Sequence, residues 1–380
     1  MAGEIYYHDY LQLDKILNAQ FPESDKHNLP AHDEILFIII HQAYELWFKQ
    51  LHHEADSIAV IMKKPALNDN SPELQTVVHR LNRMVTILRV LVHQVDIMET
   101  MTPMDFLDFR DMLRPASGFQ SWQFKALEAK LGLKSQHRYG QEYYISQLQK
   151  EQIDIIKKAE TEKSLLELVN GWLERMPLAP PLGPHPNLPP VWEGTANSQA
   201  PLTQNIFIGK QTEGWNFWNE YRAAYVNSLA DAEKNNLVAF DEIFFEKNDR
   251  PAFAKATADE AATSPDSYRD SLSAKACRAA LFIMLYRGYP LLQLPFQLLN
   301  ALLEIDEQLS SWRYRHMNMV HRMIGRRIGT GGSSGKDYLK AAADKHYIFK
   351  EIAQLNSFLI ERRKLPSLPP EVEKRLGFMG

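Results

Sequence analysis

The chain has 380 residues, 45% of them hydrophobic and 24% charged, which is room for one large globular domain or two or three small ones. A formal charge of −4 argues against a general nucleic-acid binder. A lone cysteine, Cys277, excludes an intramolecular disulfide and suits a reducing compartment. The first residues do not form a basic, apolar, small-residue leader, so a cytoplasmic location is expected.

In chain order, the first feature is aromatic. Tyr6, Tyr7 and Tyr10, with Leu11, form a segment that either packs locally or docks on a neighbouring subunit. His32-Asp33-Glu34 then opens a long helix to about Met62, along which Leu36, Ile40, Tyr44, Trp47 and Leu51 recur at helical spacing. A second helix is expected over 72–98, with Val77, Leu81, Met84, Leu88, Leu91 and Val95 on one face, and a short one over 104–113 that ends near Pro115. Further helices fit 120–131, 141–158 and 162–175. Residues 177–201 are rich in proline and read as a loop. A helix fits 212–232, and the alanine- and threonine-rich stretch 252–265 reads as a surface insertion. Helices then fit 271–287, 291–323 and 337–361. The apolar tract 280–303 is long enough to span a bilayer, but Arg287, Gly288, Pro290, Gln293, Pro295 and Gln297 interrupt it. Helix, turn and second helix is therefore the expectation there, and no membrane span. No period-2 stretch stands out, so the fold class is all-α, read as a single domain over 1–380.

Several catalytic patterns fail. Lys336 after Gly335 suggests a phosphate loop, but Thr330 stands at its first glycine position and Asp337 replaces the required hydroxyl. His-Glu-x-x-His is absent, as are the paired Glu-x-x-His motifs of di-iron bundles and a serine-centred nucleophile elbow. His52 and His53 are adjacent, so they point to different helix faces and chelate poorly.

Four places can carry chemistry. Phe37 and His41, four apart on one helix, would present an aromatic wall and a polar handle to a cavity; a core histidine bonded to a neighbouring helix is the alternative. Phe106 and Arg110 repeat that spacing, and arginine can hold a carboxylate bidentately; a surface ion pair with Asp105, Asp108 or Asp111 is the alternative. His316, in Trp312-Arg-Tyr-Arg-His316, is either a haem ligand with arginines near its propionates or one histidine on a solvated basic helix face. His321 lies about 140° further round that helix and cannot serve the same metal from the same side. The glycine loop 329–335 lets backbone approach a ligand closely, and Thr330 gives it one hydroxyl.

Together these segments resemble the tryptophan 2,3-dioxygenase family over nearly the whole chain. The matching residues are Tyr7-His-Asp-Tyr10-Leu11, His32-Asp-Glu-Ile-Leu-Phe37, His41-Gln-Ala-Tyr-Glu-Leu-Trp-Phe-Lys49 and Phe109-Arg110. They continue with Pro115-Ala-Ser-Gly-Phe-Gln-Ser121, Tyr286-Arg287 with Pro290, Pro295-Phe296, Trp312-Arg-Tyr-Arg-His316 and Gly329-Thr-Gly-Gly-Ser-Ser-Gly335. The resemblance implies an all-helical homotetramer with one haem b per subunit, ferrous when active. It implies that L-tryptophan and O2 give N-formyl-L-kynurenine, the first step of tryptophan degradation. By position, His316 matches the proximal iron ligand and His41 the distal histidine that meets the indole N–H. Arg110 matches the carboxylate clamp, Thr330 the threonine at the amino acid's polar end, and Phe37 and Phe106 the walls of the indole pocket. Tyr7, Tyr10 and Leu11, within an arm over 1–30, match the segment that completes a neighbour's pocket. Phe106 stands where some members carry tyrosine, and Lys336 where the family often has an aromatic. An indoleamine-type dioxygenase is the near alternative; the aromatic arm and the full glycine loop argue against it.

Overall fold

The computed structural model describes residues 4–65, 67–176, 217–245, 272–325, 327, 329 and 336–377. The proline-rich stretch 177–201, the segment 252–265 and Thr330 all lie outside the described residues. Three short helices lead in: α1 (Tyr7–Leu11), α2 (Leu13–Leu17) and α3 (Glu23–Lys26). The long ones follow: α4 (Glu34–Met62), α5 (Pro72–Met98), α6 (Pro103–Arg110), α7 (Trp122–Leu131), α8 (Lys150–Thr161) and α9 (Leu165–Arg175). Beyond these come α10 (Phe217–Val226), α11 (Asn236–Phe244), α12 (Ala274–Leu285), α13 (Pro290–Ile324), α14 (Lys336–Lys345), α15 (Lys350–Gln354) and α16 (Pro370–Leu376). No strand occurs among the described residues, and none of their helices is long and apolar enough to cross a membrane. The all-α expectation holds.

Local chemistry sets the boundaries. Ser71 caps α5 by accepting from the amide of Leu74, and Pro72 follows at the first helical position, where its missing N–H costs nothing. Thr102 and Asp105 cap α6 reciprocally, and Ser164 and Glu167 do the same for α9. The tract 280–303 divides as expected, with α12 ending at Leu285, a turn, and Pro290 opening α13.

Helices α4, α5 and α13 form the frame: α5 runs antiparallel to α4, with Arg83 at Glu54 and Gln94 at Ile40, and parallel to α13, with Arg89 at Glu304 and Asp96 at Arg315. All six apolar residues of the α5 stripe are buried, from Val77 to Val95, and α5 packs against both partners. Of the α4 stripe, Ile40 and Leu51 are buried, while Trp47 is exposed. Truncating a fully buried leucine such as Leu81 to alanine removes transfer energy and leaves a cavity, at a cost of about 2–5 kcal/mol.

Two expected helices are broken, for visible reasons. The one over 141–158 begins as a 3-10 turn, Gln141–Ile145, and restarts as α8, because Tyr143 and Tyr144 turn to different partners. Tyr143 lies 5.2 Å from the Phe119 ring, and the Tyr144 hydroxyl donates to Glu160 at 2.7 Å. The one over 337–361 stops at Lys345. There the carboxylate of buried Asp306, on α13, accepts from the amides of Ile348 at 3.0 Å and Phe349 at 2.5 Å, and α15 restarts just beyond. Helices α11 and α16 were not anticipated, yet Phe240, Phe244, Val372 and Leu376 are all buried.

Candidate functional site

Between α4, α6, α7, α13 and α14 lies a cavity of about 260 Å³. Phe37, His41, Phe106, Arg110 and His316 all line it, as does Gly329, so the structure brings together four separate stretches of sequence. Tyr7 and Tyr10 do not: on α1 they are 74% and 72% exposed, and with Leu11 they lie outside the lining of their own chain's cavity.

One end is apolar. The Phe37 ring lies 5.6 Å from Phe106 in a stacked pair, and Phe109 meets both edge-on at 5.6 and 5.4 Å. Helical spacing places the His41 ring 4.1 Å from that of Phe37. The Nδ1–H of His41 donates to the carbonyl of Phe37 at 2.7 Å, which fixes the tautomer and leaves Nε2 with a lone pair. Burial lowers the pKa of this imidazole, against the opposing pull of the Phe37 carbonyl and Glu45, so it is neutral at neutral pH. Arg110 ends α6, is 4% exposed, and lies 3.7 Å from the exposed carboxylate of Asp111. Its guanidinium is buried in the cavity wall, and the ion pair with Asp111 that was part of its alternative reading is present as well.

His316 faces this end from α13. Its ring stacks on the indole of Trp312 at 5.2 Å with planes 3° apart. Trp312 is held in turn by Phe124, Tyr44 and Phe48, at 4.7, 6.1 and 6.4 Å. Burial, with some help from His41, pushes the His316 pKa down to about 4, so the ring is a neutral ligand at neutral pH. It nevertheless keeps accessible surface, because it lines the cavity, and its ring nitrogens have no hydrogen-bond partner among the described residues.

The other end is ionic, and sequence reasoning missed most of it. Glu128 of α7 accepts from Arg138 and from Arg313, each at 2.7 Å. Burial alone would raise the Glu128 pKa, but the two guanidinium groups and His346 pull it down to about 2. Arg313 also donates to the carbonyl of His346 at 2.8 Å, and the His346 ring accepts from the amide of Tyr139 at 3.1 Å. Lys125 is buried, donates to the carbonyls of Phe119 and Ser121, and has its pKa lowered to about 8 by burial. Arg313 is thus committed to the protein, and Arg315 pairs with Asp96 and Glu99 at 2.7 and 2.9 Å, outside the cavity lining. Both had been considered as partners for propionates, and neither geometry suits that. A signal existed in α7, which buries Lys125, Ala126, Leu127, Glu128 and Ala129 in succession. A helix buried on all sides needs partners for its charges.

No group of three or more His, Cys, Asp or Glu side chains able to hold a metal ion occurs among the described residues. A single imidazole suits an iron that brings its remaining ligands with it, as in a macrocycle. The residues fit one. His316 is neutral and open to the cavity, Lys125 is a buried cation in the same lining, and a Cβ built on Gly118 would meet no atom within 4 Å. Backbone there faces open space against which a flat group can lie.

The all-helical fold thus gathers one open neutral imidazole, a second imidazole and a buried guanidinium around one cavity. The family model described as tryptophan 2,3-dioxygenase matches residues 1–183 and 197–359, interrupted only inside the proline-rich stretch. Similar proteins include the tryptophan 2,3-dioxygenases of Bdellovibrio bacteriovorus, 41% identical over 98% of both chains, and Alteromonas mediterranea, 41% identical over 98% of this chain and 97% of that one. That of Rattus norvegicus is 38% identical over 98% of this chain and 87% of its own. The chain belongs to the tryptophan 2,3-dioxygenase family.

Proposed function

We propose that this chain, as one domain, binds one haem b through His316 and uses it to convert L-tryptophan and O2 to N-formyl-L-kynurenine. The observation that carries the reading is the convergence of His316, His41 and Arg110, from three helices, on one cavity. When bound, and ferrous, the haem supplies the iron and the O2 chemistry that cleaves the indole C2–C3 bond.

The chain's own residues position the substrate. Arg110 pairs with the carboxylate of tryptophan in a site largely shielded from water, which selects an amino acid over a bare indole. Phe37 and Phe106 flank the indole. His41 accepts the indole N–H at Nε2, since its Nδ1–H is spent on Phe37. An indole N–H is far too weak an acid for a neutral imidazole to deprotonate cleanly, so His41 orients the ring and does not act as its base. Fixing both ends of the amino acid places C2 and C3 for attack, which is catalysis by positioning. Lys125 is the cation suited to a haem propionate. Thr330 holds the polar end of the amino acid; its described neighbour Gly329 lines the cavity.

The rest of the reading concerns assembly. The exposed Tyr7, Tyr10 and the adjoining Leu11 complete a neighbour's cavity in a homotetramer, a use that accounts for large aromatics left in solvent on a single chain. The location is cytoplasmic, with no nucleic-acid partner. The test is the absorption spectrum of the reduced, haem-loaded protein given L-tryptophan and air. A Soret band followed by formylkynurenine absorbance is expected. A Soret band that shifts with tryptophan but yields no product would make the protein a sensor, and no Soret band after haem addition would remove His316 as a ligand.

A further inference from the structure

A second cavity, of about 540 Å³, shares no lining residue with the first among the described residues. It lies where α12 turns into α13, and Arg287 and Phe296, from a motif that has no part in the first cavity, line it. The Tyr286 hydroxyl donates to the carbonyl of Pro366 at 2.6 Å, and that of Tyr289 to Glu373 at 2.8 Å. These two bonds tie the C-terminal segment against α13, and Leu359, Ile360 and Leu365 of that segment form one wall. Phe296, Leu299, Leu303 and Ile352 form the floor, with Leu299 and Ile352 fully buried.

The charges around this apolar floor do not balance. Arg89 is paired with Glu304 at 2.7 Å. Arg287 lies over the Phe296 ring, 4.7 Å from its centroid, and has no carboxylate within ion-pair distance among the described residues. Arg362 has none either, since its neighbour Glu361 is taken by Arg363 at 2.6 Å and Lys364 at 2.9 Å. Two guanidinium groups thus stand against one remaining acid of the lining, Glu307. We propose that this cavity binds a small monocarboxylate with an apolar aryl or branched-alkyl body. The body lies on the leucine and phenylalanine floor, and Arg287 and Arg362 take the carboxylate. A bidentate guanidinium partner held over an aromatic ring is suited to a planar anion, and the cavity's single net positive charge matches a single negative one.

The test is calorimetric titration of the haem-loaded full chain with 3-phenylpropionate in saturating L-tryptophan, which fills the first cavity. Expected are one site per chain, no binding of phenethylamine, and affinity roughly tenfold lower in each of Arg287→Met and Arg362→Met, the loss of one charge-assisted contact. Both arginines are exposed, so haem content and Tm should hold in the variants. Asn300→Trp, which fills the cavity from an exposed lining position and leaves both arginines in place, should abolish binding. Absence of binding to the unmodified chain, equal binding of the amine, affinity unchanged in all three variants, or displacement by tryptophan each overturns the proposal. The test rests on the preceding section only in that tryptophan fills the first cavity, and since turnover is not read, a chain that binds tryptophan without converting it gives the same outcome.

Discussion

The two ends of the first cavity are built on opposite terms. The end at His41 is made of rings, with one buried guanidinium in its wall; the end at Glu128 is an acid held between two arginines. In the first, the buried guanidinium of Arg110 lines the cavity, 3.7 Å from the exposed carboxylate of Asp111. In the second, Glu128 is spanned by two arginines at 2.7 Å. The first end sets one cation among rings in the cavity wall, whereas the second ties an acid to two cations. Loss of a residue should therefore damage binding at one end and folding at the other.

The largest effect should come from the ionic end. Glu128→Ala leaves two buried guanidinium groups uncompensated, at a cost of about 3–5 kcal/mol in stability, readable as a fall in the denaturation midpoint. The same end should set the acid limit. His346 has a folded pKa of about 4, below its ordinary 6.5, so protonation favours the unfolded chain, and its contribution is complete above pH 6.5 and lost as pH falls towards 4. Glu128, held at about 2 against an ordinary 4.5, contributes fully above pH 4.5 and loses that contribution as pH falls towards 2. Denaturation followed from pH 7 to 3 should show stability declining from about pH 6.5; a flat profile down to pH 4 would mean that burial does not hold His346 neutral.

At the ring-lined end, Arg110→Ala should weaken L-tryptophan binding by about 2–5 kcal/mol while the denaturation midpoint moves far less. If that variant bound tryptophan normally, the contrast between the two ends would collapse. His316→Gly should abolish the Soret band of the reconstituted protein, with recovery on adding imidazole, since the cavity around the ligand is left in place. His41→Ala should be the mildest, roughly a tenfold loss in kcat/KM for one hydrogen bond of about 1 kcal/mol, with haem content unchanged. Complete loss of turnover, with tryptophan and O2 binding intact, would restore the role of base to His41.

The same contrast explains what the sequence made legible. The α5 stripe was readable because helical periodicity is local, and so were the pairs Phe37–His41 and Phe106–Arg110, because a spacing of four residues fixes a shared face. That those pairs and His316 meet around one cavity was legible only through the family resemblance. The ionic end could not be read. Glu128 meets Arg313 across 185 positions, and Asp306 ends a helix from 42 and 43 positions away by capping Ile348 and Phe349. No periodicity reports such contacts. Arg313 was misjudged for the same reason, since a basic tract does not reveal which of its arginines already has an acid.

Helix α13 runs for 35 residues without a break, and Pro295, Phe296 and His316 lie on it. It carries the floor of one cavity and the imidazole of the other, about 30 Å apart at 1.5 Å per residue over twenty residues. A helix of this kind is a ruler with a single register. One residue inserted between Phe296 and His316 would turn everything beyond it by about 100°, carrying the imidazole out of its cavity however conservative the added side chain. This stretch should therefore accept many substitutions and almost no change of length.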